Sequence, residues 1–202
     1  NQGLQNILTR YIGNNNRAES ADAKQRIADL NIVLNFASGA RPLDLEVSRA
    51  LFELVLDNGA DAVKGLAELL PPETREKFEQ TLNQIESRVS GVIQRLGSEG
   101  PPFLRGLVNS SPESARQFFR FITEYGVGKY AAAMDFIGNL AKSESALALL
   151  GEGGQKNLTA LADFLSLDTI GQGYLRTILS PNSPAPTRLN AFNSLAKDIL
   201  KD

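Results

Sequence analysis

The chain is predicted to fold as an all-α bundle of eight to ten helices, two or three of them long, with no sheet. Three observations predict it. Apolar residues recur at steps of three and four over most of the 202 residues, the spacing that gathers side chains on one face of a helix. Segment after segment is bracketed by residues that start helices (Ser, Asp, Pro) or stop them (Gly, Pro). No alternating β-branched runs are joined by hairpin turns, and the one strand-like run, "NIVLNF" at 31–36, sits in a helical context.

Taken in order, Ser20 is placed to cap "ADAKQRIADLNIVLNFAS", with Ile27, Leu30, Ile32 and Leu34 as the buried side and Gly39 beyond the end. Asp44 caps "LEVSRALFELVLDNG", which turns Leu51, Leu54 and Val55 inward and leaves at Gly59. The shorter "DAVKGLAELL" stops at Pro71. The most regular pattern is "ETREKFEQTLNQIESRVSGVIQRLG", where Phe78, Leu82, Ile85, Val89, Val92 and Leu96 form a heptad-type stripe. Pro71-Pro72 opens that helix, and Gly97 and Gly100 close it.

Ser111-Pro112-Glu113 supplies a hydroxyl cap, a proline for the first helical position and an acid for the positive end of the helix. The helix that begins there is read through to about Ser143, kinked or broken at Gly126 and Gly128. Three shorter helices are expected within 145–150, 155–166 and 169–179. In domain terms, residues 1–180 form the bundle and 181–186 a Pro-rich hinge, within "SPNSPAP". Residues 187–202 form an amphipathic helix with Leu189, Phe192, Leu195, Ala196 and Ile199 along one side. So short a helix is marginal in water, so it is expected to dock on the bundle.

Composition narrows the chemistry. The chain has no Cys and no His, so thiolate nucleophiles, disulfides, Cys/His zinc sites and imidazole proton shuttles are all missing. Its 21 Lys and Arg are scattered and the net charge is −2; a nucleic-acid partner needs a concentrated basic stripe and is not expected. No apolar run reaches the roughly 18–20 residues that span a bilayer, so no membrane span is expected. The opening "NQGLQNILTRY" lacks the basic and apolar regions of a signal peptide. Asp57 with Asp61, and Glu76 with Glu79, share no secure buried face, and "DNGAD" lacks the spacing of a calcium loop. No catalytic residue, metal site or cofactor is assigned, and the chain is read as a non-enzyme.

Gly126-Val127-Gly128-Lys129-Tyr130-Ala131 satisfies G-x-G-x-x-[GA]. A phosphate loop of that kind requires a buried strand before the glycines and a helix after them. Upstream, Phe118, Ile122 and Tyr125 have helical spacing, and Tyr130 stands where the other phosphate motif needs Ser or Thr. The glycines are therefore expected to lie in a helix, where the missing Cβ atoms admit a close neighbour.

That helix carries large apolar groups nearly all round, which suits a central, multiply buried position. Part of it is also expected to line an apolar cavity. The expected ligand-binding residues are Phe103, Leu104, Phe118, Ile122, Tyr125, Gly126, Tyr130, Met134 and Ile137. Phe103 and Leu104 belong to "LGSEGPPFLRGLV" at 96–108, either a buried connector or a lid bracketed by glycines.

Residues 66–108, with Pro72, Phe78, Val89, Ile93, Leu96, Phe103 and Leu107 at the matching positions, resemble the middle of the nematode fatty-acid and retinol-binding proteins. The resemblance implies a secreted, disulfide-free helical carrier of fatty acids or retinoids, and it sets secreted ahead of cytoplasmic. The functional expectation is a helical binding protein that holds a small apolar ligand between helices. The alternative is an assembly subunit whose heptad stripe or terminal helix docks on another chain, a protein partner or a second copy.

Overall fold

The structure is a computed structural model and describes residues 21–199. Ser20, the expected first cap, and the opening segment lie outside the described residues. Every regular element described is helical, and ten α-helices have nine residues or more. The expected all-α architecture is therefore what the chain forms. The described residues form two compact units, with the boundary between Ser87 and Arg88. The Pro-rich segment at 180–186 lies wholly within the second unit.

In the first unit, α1 (Ala21–Ala37) packs on α2 (Leu45–Asn58), followed by the single turn α3 (Ala60–Lys64) and a 3₁₀ segment, Gly65–Leu69. Asp44 caps α2 as expected, its carboxylate accepting from the Val47 amide at 2.9 Å. Leu51, Leu54 and Val55 are buried. Arg75 reinforces the end of the 3₁₀ segment: it donates to the Ala67 carbonyl at 3.0 Å, which also accepts the Leu70 amide at 3.2 Å, and to the Leu70 carbonyl at 3.2 Å.

The inward face of α1 differs from the expected one. Leu30 is buried, but Ile27 is 47% exposed, and Val33, Phe36 and Ala37 fill the core; Ile32 and Leu34 are half-buried. Adjacent apolar residues in "NIVLNF" permit more than one rotation of the helix. A tertiary contact chooses between them: Asp29 is buried and receives Arg49 Nη2 of α2 at 2.8 Å.

α4 (Pro72–Leu96) begins in the first unit and ends in the second. All six residues of its stripe are buried, from Phe78 to Leu96. Phe78 meets Phe36 with ring centroids 5.7 Å apart.

The second unit continues with a 3₁₀ turn, Gly97–Glu99, and then α5 (Gly100–Val108), α6 (Pro112–Thr123) and α7 (Gly126–Lys142). The segment at 97–108 is thus helical, and Phe103 and Leu104 are packed into the core, so it forms no lid loop. Ser111 caps α6 by accepting from the Ser114 amide at 3.0 Å. After it come α8 (Glu144–Glu152), α9 (Gln155–Phe164), α10 (Thr169–Ile178) and α11 (Ala185–Ile199). α11 docks on α10, with Leu195 and Ala191 buried and Leu189 left exposed. Its Phe192 lies against Gly138 of α7. The centre of the unit is an aromatic cluster. Phe118 stacks on Phe164 at 4.7 Å and 8°, and meets Phe136 edge-on at 5.6 Å.

The long helix expected from 112 to 143 is broken, not kinked. Glu124 and Tyr125 are extended, and α7 restarts at Gly126 with φ +61°. Contrary to expectation, Gly126 admits no close neighbour, whereas Gly128 leaves room for the Glu124 side chain. A Cβ at Gly126 would meet nothing within 4 Å, and one at Gly128 would meet only the flexible carboxylate of Glu124. Gly126 is needed for its left-handed backbone. Gly126→Ala should therefore cost about 1 kcal/mol in urea unfolding. An unchanged midpoint would remove this account of the break.

Candidate functional site

The stripe of α4 sets up the site. Arg88 lies three residues after Ile85 and four before Val92, on the same face as the buried aliphatics. Placed there, its side chain is carried inward and is only 8% exposed. Its guanidinium carbon sits 4.2 Å from the centroid of the Phe121 ring of α6. Its Nη1 donates to the Phe164 carbonyl at 2.7 Å and to Ser166 Oγ at 3.0 Å. Nε is buried without a hydrogen-bond partner. Burial pushes the guanidinium down to about 10, with Tyr130 acting weakly in the other direction; it remains cationic at neutral pH.

Lys129, the lysine of the glycine motif, comes from the second turn of α7. Its Nζ lies 5.5 Å from the centroid of the same Phe121 ring. Burial, then the nearby Arg88 charge, hold its amine below the usual lysine range.

These groups border a cleft of about 290 Å³ in the second unit. Tyr130 and Ala133 of α7 form one side, and Leu195, Asp198 and Ile199 of α11 another. The third wall is the turn Leu165–Asp168. Two local devices hold it in place. The Ser166 amide returns to the Asp163 carbonyl at 3.1 Å and the Leu167 amide to the Ala162 carbonyl at 3.0 Å, which is the Schellman ending of a helix. Asp168 then caps α10 through the Gly171 amide at 2.8 Å. Ser166 occupies the left-handed position of the Schellman turn with φ +58°, where glycine would be less strained. The strain carries its hydroxyl to Arg88.

Of the nine residues expected to bind ligand, Tyr130 lines this cleft. Phe103, Leu104, Phe118, Ile122, Met134 and Ile137 are buried in the core, and Tyr125 and Gly126 lie exposed at the break before α7. Arg88, Phe121, Lys129 and the 165–168 turn were not picked out as site residues from the sequence. Arg88 left a signal there as a charge on an apolar stripe, and Lys129 as the lysine of the glycine motif.

The lining of the cleft mixes polar and apolar groups. Its polar lining consists of Arg88, Lys129, Tyr130, Ser166, Asp168 and Asp198. Among the described residues, no group of three or more acids could hold a metal, and no helix is long and apolar enough to cross a membrane. Architecture and cleft together define a helical protein with a small, partly apolar recess and a cationic floor. Compared with protein-family models, curated proteins and solved structures, the chain finds no match.

Proposed function

We propose that the chain is a non-enzymatic helical binding protein and that its second unit holds a small ligand with an apolar body. The carrying observation is the cleft of about 290 Å³ lined by residues of five helices and a doubly capped turn. That volume is near the lower end of the ~300–1,000 Å³ typical of small-molecule sites. It suits a short- or medium-chain fatty acid or a fragment of a retinoid better than a long chain. The resemblance of residues 66–108 to the nematode fatty-acid and retinol-binding proteins points the same way. Against catalysis stands the composition: with no His or Cys, the cleft offers no nucleophile paired with a base.

The test is a titration of the full chain with a fluorescent medium-chain fatty acid, alongside native mass spectrometry of the purified protein. Saturable binding at one ligand per chain is the expected result. No saturation, and no mass increment with added ligand, would end this reading.

A second reading, a subunit that assembles with another copy of itself, draws support from Tyr125 and Val127, which are 54% and 74% exposed at the break before α7. Light scattering over a concentration series tests it, and a constant monomer mass would count against it.

A further inference from the structure

We infer that the cleft receives an oxyanion, the carboxylate or phosphate head of a ligand with a small apolar body. Arg88 holds that head, and Lys129 supplies the second positive charge. The inference rests on the reading of the chain as a binding protein and names the chemistry of the ligand's polar end.

Arg88 is nine-tenths buried, yet among the described residues no carboxylate pairs with it. Its neighbours are a carbonyl, a hydroxyl and an aromatic face, all uncharged. A guanidinium taken out of water is costly when nothing nearby carries the opposite charge. The cost is raised further by Lys129, a second cation over the same ring. The quadrupole of one phenyl ring is a weak counterweight to two positive charges.

The pattern of used and unused donors gives the direction of approach. Both hydrogen bonds of Arg88 leave from Nη1. Nε has no partner, and Nη2 makes no hydrogen bond among the described residues. Nε and Nη2 share one edge of the planar group, the edge that meets two oxygens of a carboxylate or phosphate in parallel. The Nη1 bonds to the end of α9 anchor the group while leaving that edge unpaired.

The acids of the cleft do not fill this role. Asp168 is engaged in capping α10, and Asp198 makes no ion pair with either cation among the described residues. The apolar surface for the rest of the ligand comes from Phe121, Leu165, Leu167 and Leu195. An anion bound between Arg88 and Lys129 would lower the cost of burying both.

The experiment compares three ligands of one chain length on the full protein by isothermal titration calorimetry: sodium octanoate, octyl phosphate and 1-octanol. At least one anion should bind about tenfold or more tightly than the alcohol, as expected for charge-assisted hydrogen bonds in a buried site. The tighter of the two anions identifies the head group. Arg88→Met should abolish the preference while octanol binding persists, and circular dichroism checks that this variant is folded. Lys129→Met, at a half-buried position, should reduce the preference several-fold and serves if the Arg88 variant does not fold. Equal binding of octanol and both anions would overturn the oxyanion while leaving the carrier reading intact. So would a preference that survives in Arg88→Met or is unchanged in Lys129→Met. No binding of any of the three would overturn both readings together.

Discussion

Phe118→Ala lowers the unfolding free energy of the second unit by about 3–5 kcal/mol, the range for deleting a fully buried aromatic ring. Phe118 is 1% exposed. It is stacked on Phe164 at 4.7 Å and set edge-on to Phe119 at 5.2 Å and Phe136 at 5.6 Å. Truncation removes the transfer energy of the ring and the three ring contacts. It also leaves a void between α6, α7 and α9 that rigid helices close only in part. Phe118→Leu keeps most of the volume and is expected to cost clearly less than the alanine variant. Urea unfolding measures the loss, and amide exchange of α6, α7 and α9 locates it. A loss under about 1 kcal/mol for alanine would mean that Phe118 is not the centre of this core.

The largest polar effect is expected in the first unit. Among the described residues, Arg49→Met leaves Asp29, 3% exposed, with only the Gln25 side-chain amide at 2.9 Å. Removing one partner of a buried pair strands the other charge, which typically costs about 3–5 kcal/mol. Arg49 is itself 31% exposed, so water can enter and the expected loss is smaller, about 2–3 kcal/mol. The double variant Arg49→Met with Asp29→Leu should recover most of it, since no stranded charge then remains. A double variant no more stable than the single one would show that the pair does not set the rotation of α1.

The elements whose signals are local were legible from the residues alone. Asp44 and Ser111 cap their helices through amides three residues on, a distance that sequence spacing reports directly. The α4 stripe was legible because six apolar residues at one period permit one inward face. α1 was less so, because its apolar residues crowd neighbouring positions and the Arg49–Asp29 contact, 20 residues apart, selects among them. The break before α7 was visible as two glycines, but their role was not. Gly126 proved to serve a backbone angle, with no neighbour packed against it.

The sequence by itself determined the all-α class, most helix starts and stops, and the absence of Cys and His chemistry. Each of these follows from composition or from interactions within about one helical turn. Only the tertiary structure decided where the cleft lies and which side chains border it. Arg88 acquires its meaning from Phe164 and Ser166, 76 and 78 residues further along the chain, and from Phe121 and Lys129 on two other helices. No spacing rule spans such separations, because packing of whole helices brings those groups together.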